Sequence, residues 1–223
     1  MKRNALAAFA ATLVALAAGS TLAEEIHLLS AASMQTVFKE ILGEFERSSG
    51  HKVVVGYGTM GAITGRVAGG EQADLVISSQ ASISSLVAQG RIAAGSELLI
   101  ARTGVGAVVP GGDRKPRIES ADDFKRALLE SKVIVYANPA GGDVAEVTVA
   151  RGPGALGLTQ VSEIVGKPGM QFVPLPEDLQ NYTGFVAGIP AGARPSEAVA
   201  ALLAFLRTPG AAAVMKAKGM KID

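Results

Sequence analysis

The chain has 223 residues, and its 21 basic and 20 acidic residues give a net charge of only +1. These charges are spread evenly, so the sequence lacks the basic stripe of a nucleic-acid-binding protein and the charged run of a disordered tail. It contains no cysteine, which excludes a disulfide-stapled scaffold and a lipid-anchored cysteine. Hydrophobic residues make up 48% of the chain, enough to form a sizeable core.

The first 23 residues have the pattern of a cleavable secretory signal peptide. Lys2 and Arg3 precede an apolar run over 5–18, and small residues follow, with Ala23 as the expected cleavage position. The run is too short and too rich in alanine to predict a membrane span. We therefore expect a soluble protein that is exported to the periplasm of a bacterium.

The next stretch predicts a strand, a turn of small residues and a helix. Ile26–Leu29 is a short apolar run, and apolar residues recur at helical spacing from Met34 to Phe45. Ser33 stands at the expected N-cap of this helix, where its hydroxyl would accept from a first-turn amide. The free amides and the helix dipole at such a turn suit an anion, although an ordinary capped helix has the same pattern.

Strands and helices alternate from 52 to 89, which is typical of βαβ units with parallel strands. Gly56, Gly58 and Gly61 match a dinucleotide-binding fingerprint, and Asp74 follows at about the usual distance of its ribose-binding acid. Asp74, however, begins its strand, whereas that acid belongs at the end of one. We therefore favour a more general use of these glycines, which let the backbone approach an anion closely.

Six phrases of the sequence are LLSAASM, VVGYGTMGAITGRVAGGEQADLVISS, YANPAGG, LGLTQVSEI, LPEDLQNYTGFVAGIP and ALLAFLRTPGAAAVMKAKGM. Together they resemble the periplasmic molybdate-binding proteins of ABC importers, over nearly the whole chain after the leader. The resemblance implies an α/β, two-lobed type II periplasmic-binding-protein fold, with mixed sheets flanked by helices and a ligand cleft between lobes that close about a hinge. It places lobe 1 at 24–103 plus 185–223, and lobe 2 at 104–184.

The resemblance also implies a site in which serine hydroxyls and backbone amides surround a tetrahedral oxyanion. Met60 stands where the family has a second ligand serine, so only its amide could donate, and Gln160 stands where molybdate binders carry a tyrosine. The implied ligand-binding residues are Ser33, Thr59, Met60, Ala140, Gly142 and Gln160.

Lobe 2 is expected to be shortened near 142–144. In the resembling family a helix and a strand separate the PAGG turn from the segment that matches Val144–Ala150, whereas here Asp143 runs almost straight into it. Such a loss would leave apolar surface exposed near Val133–Tyr136 and would remove backbone donors for the ligand.

The predicted loops suggest the protonation state of the ligand. Ser30, Ser33 and Thr59 are donors with no acid beside them, which favours a fully ionised oxyanion such as molybdate, tungstate or sulfate. A protonated phosphate would also need an acceptor. Asp143 could supply one from the cleft, but we expect it to cap the helix that begins at Val144.

We therefore predict a binding protein, not an enzyme, that passes a molybdate-like oxyanion to the membrane permease of an ABC importer. It needs no cofactor, no metal ion of its own and no nucleic acid, and we expect a monomer. Two alternatives stay open. An exported hydrolase would need a Ser–His constellation that the sequence does not offer. A binder of another small solute would need an aromatic-lined pocket, and aromatic residues make up only 4% of the chain.

Overall fold

The computed structural model describes residues 23–136, 143–194 and 196–222. The strands are β1 Glu25–Ala31, β2 Lys52–Gly58, β3 Leu75–Ser79, β4 Leu98–Thr103, β5 Val105–Pro110, β6 Val133–Tyr136, β7 Ala155–Gln160, β8 Met170–Pro174, β9 Thr183–Gly188 and β10 Met220–Lys221. The helices are α1 Gln35–Ser49, α2 Met60–Ala68, α3 Gln80–Ala88, α4 Ala121–Glu130, α5 Val144–Arg151, α6 Glu197–Leu206 and α7 Pro209–Ala217.

The larger sheet has six strands in the order β10-β4-β9-β3-β1-β2. Its β1 pairs in parallel with β2 and β3, as the alternation of strands and helices predicts, and the antiparallel β9 makes the sheet mixed. Neighbouring residues on each strand face opposite sides, so Leu28 packs with α1, α6 and α7 while Leu29 packs with α2 and α3. Helices therefore cover both faces of this sheet, and we call the unit lobe 1.

The smaller sheet has four strands in the order β6-β7-β5-β8. Ala107 and Val109 face a cluster that contains Ala127 of α4, and the intervening Val108 faces Ala145 of α5. This sheet and its two helices form lobe 2. Its strand β6 pairs only with β7 among the strands that the structure describes, and Ile134 of β6 is exposed.

The chain passes between the two sheets at two places. One is the single residue Gly104 between β4 and β5, and the other is the segment between β8 and β9. The exact boundaries of the lobes, 24–103 plus 185–223 and 104–184, stay a prediction. Within the described ranges, no single helix is long and apolar enough to span a membrane, and α6 and α7 meet that test only as a pair bent by 57°.

Candidate functional site

The first loop of the site follows β1 and contains Ser33. Ala32–Met34 forms a 3-10 turn ahead of α1, and Met34 occupies the N-cap position without a side-chain cap. The expectation that Ser33 caps α1 is therefore wrong, because the extra turn moves Ser33 away from the amides of the helix. Instead, the buried hydroxyl of Ser33 donates to Oε1 of Glu163 in lobe 2, at 2.7 Å.

The second loop joins β2 to α2. Thr59 is the N-cap of α2, and its hydroxyl oxygen accepts from the amide of Ala62 at 3.2 Å. Met60 then begins the helix, so its amide belongs to the first turn, where α-helical amides have no acceptor within the helix. Gly56 of the glycine fingerprint serves packing, because a Cβ there would lie 2.9 Å from the Arg66 guanidinium.

Lobe 2 contributes three polar side chains from the end of β7 and the 3-10 turn that follows it. Thr159 donates its hydroxyl to Oε2 of Glu163, so both carboxylate oxygens accept a hydroxyl, one from each lobe. Gln160 lines a cavity together with Ser33, Thr159 and Glu163. Its buried amide oxygen has no hydrogen-bond partner in the part of the chain that the structure describes.

Glu163 and Thr159 are site residues that the sequence analysis missed. The first two loops do hold no acid, but lobe 2 brings the Glu163 carboxylate against Ser33, which is 130 positions away in the chain. The expectation of a site free of carboxylates is therefore wrong. The phrase LGLTQVSEI contains both residues, but their sequence alone does not indicate that they reach across to lobe 1.

Asp143 both caps a helix and faces the cleft. Its Oδ1 accepts from the amide of Glu146 at 3.0 Å, as predicted for the N-cap of α5, and its Oδ2 forms an ion pair with Lys167. Lys167 also lies 3.9 Å from the Glu146 carboxylate. The positive charge of Lys167 is therefore already balanced by two acids.

The cleft between the lobes contains two adjoining cavities that share Ala32, Thr59 and Glu163. A cavity of about 260 Å³ is lined by Ala32, Ser33, Thr59, Met60, Val105, Val144, Leu158, Thr159, Gln160 and Glu163. A second, of about 270 Å³, is lined by Ala32, Gln35, Thr36, Tyr57, Gly58, Thr59, Asp143, Glu163 and Lys167. Burial raises the pKa of Tyr57 to about 12, so its phenol stays neutral at physiological pH.

The structure brings together four of the six predicted ligand residues. Ser33, Thr59, Met60 and Gln160 line one cavity, and their role as ligands stays a prediction. Ala140 and Gly142 lie outside the described residues, as does the predicted leader up to residue 22. Within the described ranges, no group of three or more His, Cys, Asp or Glu residues could hold a metal ion.

Comparisons with known proteins agree with this architecture. The sequence model of the family described as bacterial extracellular solute-binding protein matches residues 26–149 and 140–221. Aconitate isomerase from Pseudomonas sp is 26% identical in an alignment 226 positions long, gaps included, that spans 87% of this chain and 86% of that protein.

Two solved structures show the same fold. The periplasmic molybdate-binding protein of Azotobacter vinelandii superposes with a TM-score of 0.68 at 16% identity, over 89% of this chain and 99% of that one. The sulfate-binding protein SubI of Mycobacterium tuberculosis gives a TM-score of 0.68 at 19% identity, over 90% of this chain and 88% of that one. At these identities the likeness establishes the two-lobed α/β fold, as the sequence predicts.

Proposed function

The chain belongs to the family of bacterial extracellular solute-binding proteins, and on that basis we propose that it captures a small oxyanion between its lobes and delivers it to the membrane permease of an ABC importer. The ligand would sit in the cleft between the lobes, and the protein would work outside the cytoplasmic membrane. Ser33, Thr59, the amide of Met60 and Gln160 are the proposed ligand groups, together with the backbone of Ala140 and Gly142. The proposed class of ligand includes molybdate, tungstate, sulfate and phosphate.

One observation carries this proposal. Ser33 of lobe 1 and Thr159 of lobe 2 both donate their hydroxyls to one negatively charged group, the Glu163 carboxylate. Hydroxyl donors from the two lobes therefore already converge on an anion. Hydrogen bonds to a charged group are worth roughly 1.5–3 kcal/mol each, so an oxyanion that took one of these hydroxyls from Glu163 would link the two lobes.

The proposal predicts that oxyanions stabilise the protein. Thermal unfolding of the protein without its leader, measured with molybdate, tungstate, sulfate and phosphate in turn, should show at least one anion that raises the Tm by about 5–10 °C at a hundredfold excess over Kd. Chloride at equal ionic strength is the control. A Tm that none of the four anions raises would contradict the oxyanion proposal.

Ser33 gives a sharper test of the site. Ser33→Ala removes one charge-assisted donor, so we expect oxyanion affinity measured by calorimetry to fall about tenfold or more. Ser84→Ala is the matched control, because Ser84 is exposed on α3 and lines neither cavity of the cleft. If Ser33→Ala binds every oxyanion as tightly as the parent protein, Ser33 is not a ligand.

A second candidate function is the isomerisation of a small unsaturated carboxylic acid. It is favoured by the similarity to aconitate isomerase over 87% of this chain, combined with a carboxylate in the cleft that can accept a proton and return it. In such a reaction Glu163 would take a proton from one carbon of the substrate and deliver it to another as the double bond moves, with no net change in composition.

Incubation with trans-aconitate, followed by NMR, tests this candidate directly. Formation of the cis isomer by the wild type, lost in Glu163→Gln, would support an isomerase. If the substrate stays unchanged while an oxyanion binds, the protein is a carrier and the isomerase candidate is excluded.

A further inference from the structure

Glu163 lies at the centre of the cleft and lines both of the cavities there. Its two oxygens accept the hydroxyls of Ser33 and Thr159, which are only 4% and 7% exposed. A hydroxyl has a single proton to donate. In this geometry both protons are already used by Glu163, and a ligand that offers only acceptors would have to compete for them.

The backbone that carries Glu163 is hydrogen-bonded both to lobe 1 and to the residue that joins the two sheets, and these bonds oppose a shift of its turn. Thr36 of lobe 1 donates to the carbonyl of Ser162 at 2.9 Å, and the amide of Val161 donates to the carbonyl of Gly104 at 3.0 Å. These bonds fix the turn Val161–Glu163 against the point where the chain passes between the lobes. Glu163 therefore stays beside any ligand that enters the closed cleft.

The charges around Glu163 disfavour a second anion without a proton. Lys167 is the cation among the described residues that line the cavities, and it is paired with Asp143 and close to Glu146. A fully ionised anion beside Glu163 would therefore meet an uncompensated carboxylate. Repulsion of this kind, between like charges in a partly dry cleft, is costly.

The cleft also holds an acceptor that has no donor. Gln160 lines the same cavity as Glu163, and its buried amide oxygen has no hydrogen-bond partner among the described residues. Buried polar atoms in folded proteins nearly always have a partner. A cavity whose lining residues include Glu163 and an unpaired acceptor on Gln160 matches a ligand that brings a donor of its own.

Building on the proposed function, we propose that Glu163 is a specificity-determining residue, which makes the cleft prefer, among small anions, those that carry their own O–H group. Hydrogen phosphate and small hydroxy acids belong to this class. The O–H of such a ligand donates to the Glu163 carboxylate, while its anionic oxygens face the remaining donors of the cleft. Sulfate, molybdate and tungstate lack the proton and should bind more weakly, because they bring negative charge against the Glu163 carboxylate without a donor for it.

Two matched pairs of ligands measure the effect of the O–H group on affinity. Hydrogen phosphate and sulfate, compared at mildly alkaline pH and constant ionic strength, have the same charge and nearly the same shape but differ by one O–H. Malate and succinate differ by one hydroxyl. Titration calorimetry of the wild type should show a preference of about tenfold or more for the O–H-bearing member of at least one pair, since a charge-assisted hydrogen bond is at stake.

Glu163→Gln is the decisive variant, because it replaces an acceptor by an amide that can also donate, with almost no change of shape. We expect it to reverse the preference, with sulfate or molybdate binding at least tenfold tighter than in the wild type. Glu163→Ala, which removes the acceptor and adds no donor, should lose the preference. Glu130→Gln removes the same charge from the exposed end of α4 and should leave the ratio unchanged.

The outcomes separate this inference from the proposal on which it rests. Wild type that binds sulfate as tightly as hydrogen phosphate, and succinate as tightly as malate, overturns the role of Glu163 while the binding function stands. The same holds if Glu163→Gln keeps the wild-type ratio. If neither the wild type nor Glu163→Gln binds any of these anions or molybdate, the proposed function fails and the inference fails with it.

Discussion

The two lobes are built on the same plan, a sheet with helices on both faces, but they differ in how many large apolar side chains they bury. Within the described ranges, lobe 1 has six strands and lobe 2 has four. The largest fully buried side chains of the described chain all belong to lobe 1: Phe38, Phe45, Phe185, Ile26, Leu28, Met34, Ile41, Ile63, Leu75, Ile77, Ile83 and Leu86. Because burial of large apolar side chains is the main source of stability, lobe 1 should carry most of it.

Lobe 2 shows the opposite tendency. Among the residues that the structure describes, five of the seven exposed large hydrophobic residues lie there: Leu129, Val133, Ile134, Tyr136 and Val147. Yet this lobe supplies Thr159, Gln160 and Glu163 to the cleft. The proposed selection of the ligand by Glu163 therefore depends on the lobe that has fewer large buried side chains, while the other lobe presents Ser33 and Thr59.

The largest expected effect comes from removing one phenylalanine in each lobe. Phe38 of α1 is 1% exposed, so Phe38→Ala should lower the free energy of unfolding by about 3–5 kcal/mol. Phe172 of β8 is only partly buried, so Phe172→Ala should cost about 1–2 kcal/mol. Urea titrations followed by circular dichroism give both values. Equal losses would show that the two cores contribute alike, and would break the comparison.

Much of lobe 1 was predictable because local signals and tertiary structure agree there. Leu28 and Leu29 are neighbours in an apolar run, and with the apolar residues of β3 they produce a sheet buried on both faces. In lobe 2 the local signal also holds at Asp143, which caps α5 as expected. The site was less predictable. The hydroxyl of Ser33 finds its partner 130 residues away, and no local pattern around Glu163 shows which loop of the other lobe it will meet.

A smaller effect should distinguish the lobes at alkaline pH. Burial raises the pKa of Tyr57 to about 12, so this phenol ionises more easily in the unfolded state than in the folded one. The contribution of Tyr57 to the free energy of unfolding is complete below the ordinary pKa of 10.0, and it is lost as pH rises from there towards 12. We expect the free energy of unfolding to fall by about 1–2 kcal/mol over this range, less than the full shift implies because the ring is partly exposed.

Tyr57→Phe should remove this part of the alkaline loss. Tyr136→Phe, at the exposed end of β6 in lobe 2, is the matched control and should leave it in place. Urea titrations at several alkaline pH values measure the difference. A pH dependence that Tyr57→Phe leaves intact would assign the loss to other groups.

The smallest expected effect on stability, and the most direct on lobe 2, comes from a charge at the edge of its sheet. Tyr136 is 72% exposed on β6, so Tyr136→Lys should change the free energy of unfolding by no more than about 0.5 kcal/mol. Strand edges with exposed apolar side chains promote association, and lysine on an edge opposes it. Light scattering at high protein concentration should therefore show less association in Tyr136→Lys than in the wild type.

Val54→Lys tests the edge of the larger sheet, where Val54 of β2 is 48% exposed, and should change association less. If both substitutions reduce association equally, the exposed edge of lobe 2 is no weaker than that of lobe 1; if neither changes it, the wild type is a stable monomer and the exposed apolar strand is tolerated.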